Sequence, residues 1–402
     1  MGAKGGKRFF TATDEDILKG RTTDIYFTRT MEVLDAKGLM GTPALAEMTV
    51  AKLPREWPWG VLCGTEEALR LMEGKNVDIW GLPEGTVFAS RTQSGVKLPI
   101  LTVEGPYSEY CVFETPLLGF ICHSTGVATM AARCRVAAGD RHMIAFGIRR
   151  THPAISPMLD RSSYIGGCDA VSSLLGAETI GRMPEGTMPH ALIIMIGDSV
   201  KAFKAFDQVV EPSVPRVVLI DTYSDEKTEA IAACRAVKGL AGVRLDTPSS
   251  RRGSFTELIK EVRWELDIRG CQNVKIFVSG GLDDHSIPEL VKAGADGLGV
   301  GTSISNAPTV DFALDIVEKG GQPVAKRGKF GGRKMVHRCP DCLRFEVTPS
   351  GDDRVPRCDH CGKQMVPALV KLMEGGKRLT RPRKAEDIRE DVLEQLNGLE
   401  RT

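Results

Sequence analysis

From Arg141 to Ser305 the sequence alternates short apolar runs with longer helical stretches, and this rhythm constrains the fold more than any other feature. Six runs read as strands: "HMIAFGIR" (142–149), "ETIGRM" (178–183), "RVVLIDT" (216–222), "GVRLDTP" (242–248), "VKIFVSGG" (274–281) and "DGLGVGT" (296–302). Between them lie helical stretches such as "DEKTEAIAACRAVKG" and "FTELIKEVRWELDIRG". Strands that return parallel need a crossover of a dozen or more residues, which these stretches supply. The alternation predicts a parallel sheet, and its evenness favours a barrel over an open sheet. Polar residues gather at the predicted strand ends, at Arg149, Asp221, Asp246 and Ser279. Ligands bind at that edge in either architecture.

The last two βα units carry the most specific signal. "VKIFVSGGLDD" runs from a buried strand into Gly280-Gly281, with Asp283 or Asp284 expected to cap the following helix. "ADGLGVGTSIS" (295–305) repeats the plan with Gly299 and Gly301. Glycines between a strand end and a helix start let backbone N–H groups converge beside the positive end of a helix dipole, which suits a phosphate. A tight turn in which Gly supplies φ > 0 is the plainer reading of either pair alone. Two in succession match the phosphate site of the final strands of a β/α barrel.

Outside this region the chain changes character. Residues 1 to about 112 mix turn-rich loops with β-like runs and a helix at "TEEALRLMEG", and 113–138 read as one or two buried helices. From about 320 the chain is basic and loop-rich, ending in an amphipathic helix, "KAEDIREDVLEQLNGLE". Lys+Arg 53 against Asp+Glu 52 leaves a net charge of +1, so no global field attracts nucleic acid or a membrane. No run approaches the length of an apolar membrane span, and "MGAKGGKRFF" lacks the apolar core of a signal peptide. Of the 11 cysteines, Cys63, Cys111, Cys122, Cys134, Cys168, Cys234 and Cys271 stand singly, which predicts reduced thiols in a cytoplasmic protein.

The other four form Cys339-Pro-Asp-Cys342 and Cys358-Asp-His-Cys361. Each C-x-x-C knuckle can point two thiolates at one ion, and four thiolates close a tetrahedral Zn²⁺ shell with no open position for catalysis. The spacing predicts a structural zinc site.

"TDIYFTRT" (23–30), "LTVEGPYSEYCVFETPLLGFI", "FGIRRTHP", "YIGGCDAVS", "GTMPHAL", "IDTYSDE", "VRLDTPSSRRG", "FVSGGLD" and "GVGTSIS" follow one another along the chain. Together they resemble nicotinate phosphoribosyltransferases, particularly archaeal-type enzymes with a zinc-knuckle C-terminal region. The resemblance implies an α/β fold: an N-terminal α/β open-faced sandwich with a helical connection (1–138), an irregular, incomplete α/β barrel that is catalytic (139–320), and a small zinc-knuckle domain (321–402). It implies transfer of phosphoribosyl from 5-phosphoribosyl-1-pyrophosphate to nicotinate in NAD biosynthesis, with Mg²⁺ accompanying the donor and ATP as a co-substrate in coupled members. No P-loop is present, and the family uses none.

The same resemblance assigns residues. Asp221 and Asp246 match the ribose and pyrophosphate–Mg²⁺ positions, where carboxylates suit an oxocarbenium-like transition state; helix N-caps are the alternative. Phe146, Arg149 and Arg244 match ring-stacking and anion-binding positions, Asp169 a residue near the pyridine base, and Ser279 with the four glycines the phosphate turns. Arg150, Arg251 and Arg252 are further candidates whose default is surface solvation. His190 matches the histidine phosphorylated in ATP-coupled relatives. Asp24 and Tyr26 match a segment that reaches the partner's active site in a homodimer. Nicotinamide phosphoribosyltransferases share most of these motifs, and a quinolinate phosphoribosyltransferase would call for denser Arg/Lys clustering for two carboxylates. A zinc-ribbon nucleic-acid-binding or scaffold protein is the alternative of a different class, and the near-zero charge opposes it.

Overall fold

The computed structural model describes residues 9–247, 249–251 and 253–399. The chain forms two compact units: Met130–Ala307 is one, and the flanking segments, up to Thr129 and from Pro308, make the other.

Met130–Ala307 holds a six-stranded sheet in the order Ala170–Val171, His142–Ala145, Gly297–Val300, Lys275–Ser279, Leu240–Leu245, Arg216–Leu219. Every pairing is parallel, as the alternation predicts. Its strands are nearly continuous apolar runs because helices cover the outer face; Val218, Val243, Ile276 and Leu298 are fully buried. The last strand in sequence pairs with the first, as in a closing barrel, whereas Ala170–Val171 and Arg216–Leu219 stand at opposite edges. The barrel is therefore open at one seam.

That seam corrects the expected strand at "ETIGRM". Leu174–Thr179 is a helix, capped where the Ser173 hydroxyl accepts from Gly176 N at 3.0 Å. The second strand is instead Ala170–Val171, too short for its periodicity to register. A second correction concerns the thiols: Cys234 and Cys271 are joined in a disulfide across a sequence separation of 37. Cys234 lies on the helix Glu226–Ala236, which packs against Phe255–Asp267, and Cys271 follows that second helix. Helix packing, invisible in cysteine spacing, brings the two Cα atoms to 6.5 Å. Among the described residues, Cys63, Cys111, Cys122, Cys134 and Cys168 are not in disulfides.

The other unit is built on a seven-stranded sheet in the order Gln322–Pro323, Phe312–Lys319, Pro43–Val50, Pro99–Pro106, Asp78–Gly81, Val370–Glu374, Lys377–Arg378. All its pairings are antiparallel, and strands from both ends of the chain interleave in it. Glu47 and Asp315 face each other across Pro43–Val50 and Phe312–Lys319, both buried. Like charges in that position repel, and the basic segment after Gly320 neutralises them. Lys334 reaches Glu47 at 2.7 Å, while Lys326 and Lys329 each reach Asp315 at 2.5 Å. Lys329 and Lys334 are thus buried against these carboxylates, while Lys326 stays largely exposed.

The helical stretch Tyr107–Ala138, which ends in the helix Glu114–Ala138, is long and apolar enough, by length and composition, to cross a membrane. Leu117, Ile121, Val127, Met130 and Cys134 are each buried within the protein, as in a core helix. A separate three-stranded sheet, Phe345–Pro349, Lys334–Arg338, Val366–Pro367, carries the cysteine knuckles. The C-terminal helix Ala385–Leu399 buries Ile388, Val392 and Leu396, one stripe at four-residue spacing.

Candidate active site

The C-terminal edge of the parallel sheet brings three adjacent strand ends into one row. Asp221 follows Arg216–Leu219, Asp246 follows Leu240–Leu245, and Ser279 ends Lys275–Ser279. Asp221 Oδ2 accepts from Asp246 N at 2.7 Å and from the Thr247 hydroxyl at 2.8 Å. Its Oδ1 is buried with no hydrogen-bond partner, 3.8 Å from His190 Nε2. Burial pushes the Asp221 carboxyl above the ordinary carboxylate value, against these hydrogen bonds and the His190 charge. Asp246 Oδ1 accepts from the Ser279 hydroxyl at 2.8 Å, and its Oδ2 lies 3.4 Å from Arg244 Nη2. His190 opens the helix His190–Ile196, and its Nδ1 meets Thr222 Oγ1 at 3.0 Å.

Beside this row stand Phe146 and Arg244. Phe146 leaves the strand His142–Ala145 with its N–H donating to Val300 O at 2.8 Å. The Arg244 guanidinium lies 5.8 Å from the ring centroid, within cation–π range. Arg244 also donates to the Thr187 hydroxyl, while its buried Nε has no partner. Burial lowers its proton affinity first of all, with Asp246 and Asp221 opposing; the nearby Arg149 charge adds to the lowering. Arg149 and Arg150 themselves are exposed.

The glycines divide by role. Gly280 and Gly281 have φ of +93° and +75°, so both sit where side chains are strained. A Cβ at Gly280 would lie 3.3 Å from Asp246 Oδ1, and one at Gly281 would meet open space. Gly299 lies inside the strand Gly297–Val300, and a Cβ there would stand 2.5 Å from the Phe146 ring. Its contribution is room for that ring. Gly301 precedes a helix of 4 residues, Thr302–Ser305. Asp283 does not cap the next helix, which begins at Ile287 after Ser286. Asp283 Oδ1 instead accepts from Ser286 N at 2.8 Å in the preceding turn, and Asp284 pairs with Arg133 at 2.7 Å.

Asp169 lies just before Ala170–Val171, beside the strand His142–Ala145. It is level with Met143, near the start of the strands, whereas Phe146 is three residues further on. Its carboxylate is taken by Arg135 at 2.7 Å and by Met143 N at 2.8 Å. Asp24 and Tyr26 belong to the other unit. Asp24 precedes the helix Ile25–Ala36 and accepts from the Thr115 hydroxyl at 2.8 Å, and the Tyr26 side chain is exposed. Arg251 is exposed, and Arg252 lies outside the described residues.

Sequence reasoning missed the residues that hold these groups in place. Glu229, fully inside the first turns of Glu226–Ala236, accepts from Thr222 N, Tyr223 N and Ser224 N at 3.0–3.2 Å. It therefore fixes the loop after Asp221. An acid early in the helix that follows a βα loop was the available signal.

The knuckle cysteines converge as their spacing predicts. All four sulfurs lie within 4.8 Å of one another, and Cys339 Sγ and Cys361 Sγ are 3.5 Å apart. A tetrahedron of Zn–S bonds of about 2.3 Å requires sulfur separations of roughly 3.8 Å, so the cluster fits a metal ion such as zinc. His337 is turned to Thr348, with Nε2 3.1 Å from its hydroxyl, and is not needed in the shell.

The family models of the quinolinate phosphoribosyl transferase N-terminal and C-terminal domains match residues 24–125 and 127–315. A nicotinate phosphoribosyltransferase of Mycobacterium tuberculosis is 30% identical over 361 residues, covering 79% of this chain and 78% of its own. The crystal structure of a nicotinate-nucleotide pyrophosphorylase from Pyrococcus furiosus is 48% identical, with a TM-score of 0.93, over 98% of this chain and 99% of that one. Human nicotinic acid phosphoribosyltransferase shares the fold at a TM-score of 0.73 and 18% identity, over 94% of each chain. The chain belongs to the nicotinate phosphoribosyltransferase family and has its type II phosphoribosyltransferase fold.

Proposed function

We propose that this protein transfers the phosphoribosyl group of 5-phosphoribosyl-1-pyrophosphate to nicotinate, giving nicotinate mononucleotide and pyrophosphate for NAD biosynthesis. One observation carries the reading: the paired Asp221 and Asp246, with Arg244 over Phe146 and the open Gly280-Gly281 turn on neighbouring strand ends. The carboxylates suit positive charge at the ribose C1′, the arginine and aromatic ring suit a planar anionic base, and the glycines leave backbone for the 5′-phosphate.

Asp221 Oδ1 lacks a donor, and the single Thr247 proton faces both Asp221 and Glu226. This excess of carboxylate oxygen over donors fits a divalent cation, and Asp221 with Asp246 would hold it. Mg²⁺ would neutralise charge developing on the departing pyrophosphate. If Nδ1–H of His190 donates to Thr222, Nε2 keeps its lone pair, as phosphoryl transfer from ATP requires. The knuckle metal is read as a structural zinc. The shared-site homodimer belongs to the same reading. Tyr26 is 56% exposed on one unit, and Leu174 and Met195 are 80% and 85% exposed on the other, each available to a second copy. So does a cytoplasmic location, which the Cys234–Cys271 bond opposes.

Product analysis with labelled nicotinate and the pyrophosphate donor, with and without ATP, tests the reading. Formation of nicotinate mononucleotide supports it, and faster formation with release of ADP supports coupling. The quinolinate family models favour a second reading, which CO₂ release from quinolinate would establish in its place.

A further inference from the structure

The segment from Arg182 to His190 spans the connection across the open seam and is fixed at several points. Glu185 N donates to Val171 O at 2.9 Å, and Glu185 Oε2 meets His142 Nε2 at 2.7 Å. Met188 is fully buried, and His190 is held at Thr222. Between these anchors, the Thr187 hydroxyl oxygen accepts from Arg244 Nη1. Asp246 offers Arg244 only a long contact of 3.4 Å, and Arg244 Nε has no acceptor.

We propose that Thr187 is a positioning residue that fixes the Arg244 guanidinium beside Phe146 and thereby sets the preference for an aromatic carboxylate over its carboxamide. The inference rests on the nicotinate reading above. An arginine side chain has many rotamers, and a neighbouring carboxylate competes for its planar fork. Without the Thr187 oxygen, the fork closes on Asp246 and leaves the ring. With it, Thr187 Oγ1 spends a lone pair on Arg244 and keeps its own proton to donate. Arginine and threonine then both present donors to the base. A carboxylate accepts from both, whereas one end of a carboxamide is itself a donor and is left facing donors.

The test compares wild type, Thr187→Val and Thr187→Ser in steady-state assays with nicotinate and nicotinamide, alongside thermal unfolding. Thr187→Val should raise KM for nicotinate about tenfold, leave KM for the pyrophosphate donor within about twofold, and lower the acid-to-amide ratio of kcat/KM. Thr187→Ser, which keeps the oxygen, should return nicotinate KM to within about threefold of wild type. Should the valine variant fail to fold, Thr187→Ala makes the same subtraction. A folded variant with an unchanged ratio, or a serine variant that behaves like valine, overturns the proposal. Calorimetric titration of nicotinate alone separates it from the functional reading. A wild type that binds nicotinate but forms no mononucleotide defeats the reading only, and equal affinity in wild type and Thr187→Val defeats the role of Thr187.

Discussion

The cysteine cluster and the barrel edge are both sites, yet they are assembled in opposite ways. The cysteine cluster draws its four ligands from 339–361, two hairpin-like knuckles whose own backbone aims the sulfurs. The barrel edge draws on Phe146, His190, Asp221, Arg244, Asp246 and Ser279, which meet only because strands far apart in sequence lie side by side. A locally encoded site should matter to stability, because its ligands cannot be held together without the ion. A site imposed by sheet order should matter to rate, because the sheet stands without it.

The largest effect should come from the cluster. Metal analysis should find about one zinc per chain, and Cys358→Ser should lose it together with much of the unit's stability, since structural zinc supplies on the order of 10 kcal/mol. A metal-free protein that melts like wild type would erase the contrast. Next, Asp221→Asn should lower kcat roughly 10²–10³-fold while its melting temperature stays level or rises, because a buried carboxylate oxygen without a donor costs free energy. A drop in both would make Asp221 a structural residue.

Gly281→Val sharpens the comparison at smaller scale. With φ at +75° but open space for a Cβ, the variant should lose about 1–2 kcal/mol of stability and raise the donor KM about tenfold. Direct binding of nicotinate, which carries no phosphate, should change little; equal weakening of both would mean the turn only shapes the backbone. The smallest effect belongs to Glu114, whose carboxyl is pushed up to about 7 by burial, with Asp315 adding and Lys326 opposing. The folded state then holds a proton that the unfolded state has released, so stability falls as pH rises from about 4.5 through 7. Glu114→Gln should remove a loss of about 1–2 kcal/mol between pH 5 and pH 8, read by denaturant unfolding at the two values. An identical slope in both proteins would show Glu114 ionising freely.

Legibility in the sequence follows the same division. C-x-x-C spacing fixed all four ligands because their geometry is local, and all five longer barrel strands could be placed by their apolar runs, four of which lead into Asp, Ser or Gly. Ala170–Val171 could not, since two residues carry no period. Gly299 looked like Gly281 in sequence, yet one accommodates an aromatic ring from a neighbouring strand and the other borders open space. Thr187 and Glu229 act through contacts with side chains and loops that only the folded seam brings near.

The interleaved sheet has a consequence for how the chain is made. Ala46 pairs with Ile316 and Ile79 with Met373, so the unit built from the flanking segments cannot complete its sheet until translation has passed Met373. At roughly 5–20 residues per second, translation from Thr129 to Lys319 occupies about ten to forty seconds. Throughout that interval Pro43–Val50 has only Pro99–Pro106 beside it, and its other edge stands unpaired. The contiguous Met130–Ala307 unit has no such wait and can close on the ribosome first. The nascent three-stranded sheet of Pro43–Val50, Pro99–Pro106 and Asp78–Gly81 is the part of this protein that a chaperone would have to shield.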